Sequence, residues 1–151
     1  MQSAKFASTP LPINLRLSQK DCPTSSPEGE DMKSVPYAPA IGSLMYAMVV
    51  TRTDISHTVG FISRFMHNPG RPYWNAVMHV FRYLAGTKDH NILFGPNRTS
   101  GVVGYTDSDF ADCVDSQKST TGYCFKFGNG GISWKSKLQS AQPPQRPKRN
   151  M

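Results

Sequence analysis

Apolar positions recur every three to four residues through the middle of the chain and every second residue in its last third. Ile41, Leu44, Met45 and Met48 sit at helical spacing and predict a first helix. Thr51-Arg-Thr-Asp54 reads as a capping box that opens a second helix, with Asp54 near its N-terminus. Ile55, Val59, Ile62 and Phe65-Met66 form its apolar stripe. Asn68-Pro-Gly-Arg-Pro72 interrupts the pattern, and Pro72 suits the first turn of a third helix. Trp74, Val77, Phe81 and Leu84 are expected on its buried face, and Gly86 is expected to close it.

Beyond residue 90 the period changes to two. Ile92-Leu-Phe94 reads as a short strand, and Val102-Val-Gly-Tyr-Thr106 as a longer one running into Asp107-Ser-Asp109. Tyr123, Phe125 and Phe127 alternate with Cys124 and Lys126, then Gly128-Asn-Gly-Gly131 signals a hairpin. Ile132 and Trp134 alternate with Ser133 and Lys135 in the return strand. A simple hairpin puts Tyr123, Phe125, Phe127, Ile132 and Trp134 on one strongly apolar face, which needs a cover. Pro143, Pro144 and Pro147 forbid an amphipathic helix after the strands. The five side chains are therefore expected to pack on the helices of residues 40–86 or to drive self-association.

The fold class expected is α+β, a helical N-terminal half followed by a three-stranded antiparallel meander, with disordered termini. Residues 1–36 read as an extended Pro/Ser-rich arm, because Pro10, Pro12, Pro23, Pro27 and Pro36 exclude a long helix. Residues 37–90 form the helical segment, 91–139 the strands, and 140–151 a basic, disordered tail.

Composition narrows the classes. The 151 residues carry 17 Lys and Arg against 10 Asp and Glu, a net charge of +7, and only 18% are charged, which excludes a polyelectrolyte chain. No apolar run approaches the roughly 18 residues of a membrane helix. The start lacks the apolar core of a secretory signal, so the location expected is intracellular. Cys22, Cys113 and Cys124 lack C-x-x-C spacing and read as reduced thiols. His57, His67, His79 and His90 lack metal-ligand spacing, and no metal or cofactor is expected. Arg146, Lys148 and Arg149 concentrate positive charge in the Pro-rich tail, as in a short nucleic-acid or nuclear-import segment.

Several blocks together carry a resemblance. Tyr37-Ala-Pro-Ala-Ile-Gly-Ser-Leu-Met-Tyr46 looks like the Y-x-x-x-I-G-S-L-x-Y block of copia-type retrotransposon polyproteins. Arg52-Thr-Asp-Ile-Ser-His57, Trp74-Asn-Ala-Val77 and Arg82-Tyr-Leu-Ala-Gly-Thr87 continue it. So do Gly104-Tyr-Thr-Asp-Ser-Asp-Phe-Ala111, Lys118-Ser-Thr-Thr-Gly-Tyr-Cys124 and Ile132-Ser-Trp-Lys-Ser-Lys137, in the same order. The resemblance implies that the helical segment follows a reverse transcriptase palm and that the strands are the first three of a ribonuclease H-like fold.

In that family an RNA–DNA hybrid is cleaved with clustered carboxylates and two divalent metals. The resemblance makes Asp107 the first-strand catalytic acid, with Asp109 and Asp112 nearby; the family usually has Gly where Asp112 stands. A further Glu in an S-T-E-A-E-Y helix and an Asp in a fourth strand complete the family's set, and these 151 residues contain neither. The expectation is an incomplete site, a vestigial ligand at Asp107 and no catalysis. After Gln139 the family reads close to C-T-A-T-S-T-T-E-A-E-Y. Codons for that stretch read one base on can give Ala141-Gln-Pro-Pro-Gln-Arg-Pro-Lys-Arg-Asn-Met151, so the tail is expected to be the catalytic helix out of frame.

Two readings stand for Arg98, Lys118, Lys126, Lys135 and Lys137. They are solvated strand-face charges, or they are contacts for weak, sequence-independent binding of nucleic acid. The whole chain also resembles a secreted RxLR-type effector of an oomycete plant pathogen. That likeness implies delivery into the host plant cell, possible entry to its nucleus, host protein partners and modulation of defence or cell death. The residues hold no R-x-L-R; the nearest string is Leu15-Arg-Leu17, followed by Glu28-Gly-Glu-Asp31.

Overall fold

The computed structural model describes residues 5–92, 101–109 and 113–140. Among them are four helices, α1 (Ser26–Lys33), α2 (Tyr37–Val50), α3 (Ser56–Ile62) and α4 (Arg71–Gly86), and three strands, β1 (Val102–Ser108), β2 (Thr120–Phe127) and β3 (Gly130–Leu138). Short 3-10 turns flank α3 on both sides. The strands form one antiparallel sheet in the order β1-β2-β3. The α+β class and the antiparallel meander are as expected. The strand expected at Ile92–Phe94 runs into residues outside those described, as do the expected disordered termini at 1–4 and 141–151.

Three helices share one core. Ile41 and Leu44 of α2, Val59 and Ile62 of α3 and Val77 and Val80 of α4 are fully buried, with Ile55 between them. A buried Ile or Val side chain contributes roughly 1.5–3 kcal/mol, so this cluster dominates the stability of the helical half. Ile41 and Leu44 of α2 and Ile55, Val59 and Ile62 at α3 match the sequence periodicity, whereas Met45 and Met66, expected in the same stripes, are exposed.

The α4 face differs from expectation. Its most buried positions are Tyr73, Ala76, Val77, Val80 and Tyr83, whereas Trp74, Phe81 and Leu84 are only partly buried. The helix is turned so that two tyrosines point inward, and both hydroxyls find acceptors. Tyr73 donates to the Ser18 carbonyl at 2.9 Å, and Tyr83 to Asp54 Oδ2 at 2.7 Å. A buried phenol with a partner loses little against a pure hydrocarbon. Tyr37 is satisfied in the same way by the Ile62 carbonyl at 2.8 Å.

Residues 5–36 are not a free extended arm. Leu17 is buried against the helical core, Leu11 and Leu15 pack on it, and α1 forms with Pro27 in its first turn. The segment also passes tightly under the start of α4. A Cβ on Gly70 would lie 1.9 Å from the Asp21 carbonyl oxygen, so only glycine fits there. Asp21 in turn accepts from the Ser18 backbone N–H at 2.8 Å.

The sheet carries the largest departure. Gly128 takes φ of 60°, and Gly128-Asn129 turns the hairpin as its sequence signals. The ladder then shifts: Lys126 pairs with Gly131 but Phe125 pairs with Ser133, leaving Ile132 as an extra residue. This bulge changes the parity of everything beyond it. Trp134 consequently pairs with Cys124 and shares its face, not that of Tyr123. The single aromatic face expected from alternation is therefore split. Trp134 turns toward the helices, where its indole N–H donates to the Met48 carbonyl at 2.8 Å. Tyr123, Phe125 and Phe127 lie on the opposite face, and Phe125 and Phe127 are exposed.

Candidate functional site

β1 ends at the acidic pair marked by the sequence. Asp109 extends the β1–β2 ladder, its N–H donating to the Thr120 carbonyl at 3.1 Å. Its carboxylate Oδ1 accepts from the Thr120 N–H at 2.8 Å, so one oxygen is engaged in closing the strand end. Asp107 is exposed, and its Oδ1 accepts from the Ser108 N–H at 2.9 Å. Both line an open groove of about 510 Å³ between the sheet and the loop before α3, together with Asp54, His57 and Tyr105. Among the described residues no group of three or more His, Cys, Asp or Glu side chains is placed to hold a metal ion. Asp112 lies outside the described residues.

The Arg52-Thr-Asp54 segment is organised differently from the capping box expected of it. The residue before its 3-10 turn is Arg52, and no side chain caps that turn. The Arg52 guanidinium instead grips Asp54 with two hydrogen bonds, Nε to Oδ1 at 3.0 Å and Nη2 to Oδ2 at 2.8 Å. It also reaches the end of α4, donating to the Thr87 hydroxyl at 2.6 Å and carbonyl at 3.2 Å. Burial opposes the charge on Asp54, but hydrogen bonds from Arg52 and Tyr83 outweigh it and hold the carboxyl below its ordinary range. Asp54 is thus a structural clamp at the mouth of the groove. Its signal in the sequence was the Arg two residues earlier, with a tyrosine on α4 supplying the rest.

The four lysines do not converge. Lys135 pairs across the sheet with Tyr123, and Lys137 with Thr121, so these two lie on the exposed face beside Phe125 and Phe127. Lys126 has the parity of Cys124 and faces the other way. Lys118 sits in the loop before β2, its carbonyl accepting from the Cys113 N–H. Arg98 and the tail residues Arg146, Lys148 and Arg149 lie outside the described residues. The three cysteines are free. Burial pushes the Cys113 thiol up, but the Ser116 hydroxyl at 3.1 Å, the backbone hydrogen bonds of Ser116 and Asp115 and the Arg64 charge together outweigh it and leave the thiol below its ordinary value.

Comparison with known proteins places this arrangement. The chain is 52% identical over 139 residues to the retrovirus-related Pol polyprotein from transposon TNT 1-94 of Nicotiana tabacum, covering 92% of this chain and 10% of the polyprotein. It is 37% identical over 139 residues to the retrovirus-related Pol polyprotein from transposon RE2 of Arabidopsis thaliana, covering 92% of this chain and 9% of that one. It is also 45% identical over 108 residues to secreted RxLR effector protein 161 of Plasmopara viticola, covering 72% of this chain and 76% of that protein. The chain spans about a tenth of the length of the curated polyproteins it matches. No protein-family model and no solved structure matches it.

These relatives define a class, proteins derived from transposon Pol sequences. Within that class the chain belongs to the copia-type retrotransposon Pol family.

Proposed function

We propose that this chain is a non-catalytic derivative of a copia-type Pol polyprotein in which the ribonuclease H site is incomplete. The observation that carries the reading is that Asp107 belongs to no group of three or more ligating side chains among the described residues. Two-metal hydrolysis needs several oxygen ligands converging on ions about 4 Å apart. At the end of β1 the second carboxylate, Asp109, bonds the Thr120 N–H, and neither Asp107 nor Asp109 belongs to a ligand cluster among the described residues. The described residues at this strand end do not fit a two-metal centre. Titration with Mn²⁺ monitored by paramagnetic broadening tests this. The reading expects no saturable broadening focused on Asp107 and Asp109; saturable broadening there that Asp107→Asn removes would refute it.

A second reading rests on a separate observation, the 76% of secreted RxLR effector protein 161 that the chain covers. On that reading the chain acts inside host plant cells to modulate defence or cell death. Expression of the tagged chain in leaf tissue, with and without residues 141–151, tests it. Induction or suppression of cell death supports the effector reading, and an inert chain supports the first.

A further inference from the structure

β1 is an edge strand with one side open. It pairs with β2, and no other strand among the described residues flanks it. All seven of its residues are exposed, including Val102, Val103 and Tyr105. Antiparallel ladders alternate between pairs that exchange backbone hydrogen bonds and pairs that do not. The Asp109 N–H donates to Thr120, so counting back by two turns the N–H and C=O groups of Asp107, Tyr105 and Val103 toward β2. Those of Val102, Gly104, Thr106 and Ser108 point outward. Sheets usually guard such an edge with a Lys, a Pro or an inward charge. The stretch Val102–Thr106 carries none of these.

We propose that β1 is a homodimerisation edge, pairing antiparallel with β1 of a second copy of this chain about a two-fold axis at Gly104. In this register Gly104 faces Gly104 of the second copy, Val102 faces Thr106, and Val103 faces Tyr105. The outward groups of residues 102, 104 and 106 all fall in hydrogen-bonded pairs. Val103 against Tyr105 is a β-branched–aromatic pair, formed twice by the symmetry. Asp107 stays beyond the apolar segment. Centring the axis on Tyr105 would set Asp107 against Val103, and centring it on Thr106 would set it against Tyr105; both desolvate a carboxylate without a partner. Gly104 also suits the axis sterically. The Phe125 ring already lies across it, with Cε1 only 2.5 Å from where a Cβ would be. The Phe125 rings of the two copies then flank the joint on that face.

Sedimentation equilibrium of the full chain over a concentration series tests the pairing. The mass is expected to rise from 16.7 kDa toward twice that value. Thr106→Pro removes an outward N–H without touching a β1–β2 bond, and it is expected to hold the chain at monomer mass with unchanged circular dichroism. Amide exchange supplies an independent readout. The Gly104 and Thr106 N–H groups are expected to gain protection with concentration, and this result decides the matter even if Thr106→Pro fails to fold. A chain that stays monomeric throughout overturns the proposal. So does a dimer in which those two amides still exchange freely, since its contact then lies elsewhere, for instance at Phe127.

Discussion

Replacing Tyr83 with Phe tests the clamp that ties α4 to the loop before α3. The substitution keeps the ring, which is 8% exposed, and removes one hydroxyl. That hydroxyl donates to a carboxylate already held by Arg52, and the 2.7 Å separation is that of a charge-assisted bond. Hydrogen bonds to charged groups contribute about 1.5–3 kcal/mol. The Asp54 side chain is 34% exposed, so water replaces part of the loss, and about 1–2 kcal/mol is the expected cost. For a chain of this size that lowers Tm by roughly 2–8 °C in a thermal melt followed by circular dichroism. The pH dependence gives the sharper check. Asp54 has a folded pKa below its ordinary 3.8, so its stabilisation is complete above 3.8 and is lost as pH falls through the folded value. Tyr83→Phe moves that carboxyl back toward its ordinary value. The deficit of the variant is therefore full at neutral pH and shrinks well below pH 3.8. Equal melting of the two proteins at neutral pH, or a deficit that persists unchanged in acid, would refute the reasoning.

Three further tests probe the sheet. Trp134→Phe loses the indole bond to the Met48 carbonyl and is expected to cost about 1 kcal/mol in urea unfolding; no loss would mean that Trp134 does not join the sheet to α2. Gly104→Ala forces the Phe125 ring aside and is expected to cost about 1 kcal/mol in the same assay, with an unchanged m-value; equal stability would contradict the close approach. Lys135→Gln with Lys137→Gln is expected to weaken binding of a single-stranded DNA oligonucleotide and to reduce its salt slope by about 1–2, read by fluorescence anisotropy, whereas Lys126→Gln leaves both nearly unchanged. Identical effects from all three lysines would place the contact somewhere other than the exposed face.

The helices were legible because their apolar spacing is local. Ile41 and Leu44, or Val59 and Ile62, face the core by the geometry of one helix alone. The hairpin was legible for a similar reason, since Gly128-Asn129 sets its turn. The orientation of α4 was not, because the hydroxyl partners of Tyr73 and Tyr83 are Ser18 and Asp54, far away in the chain. The bulge at Ile132 was invisible to a period-two reading. One inserted residue leaves the local pattern intact while reversing the faces of Trp134, Lys135 and Lys137 relative to β2. The same error grouped Lys126 with Lys135 and Trp134 with Phe125. Asp107 is marked by the motif around it; whether ligating side chains cluster there depends on the folded strand end, where the described residues hold no group of three or more.

The proposal that the chain lacks ribonuclease H activity is most directly tested by hydrolysis itself. The purified 151-residue chain and its Asp107→Asn variant should be incubated side by side with a labelled RNA–DNA hybrid in Mg²⁺ and in Mn²⁺. The account predicts the same background cleavage from both proteins. Metal-dependent cleavage of the RNA strand by the parent chain, abolished in Asp107→Asn, would contradict it.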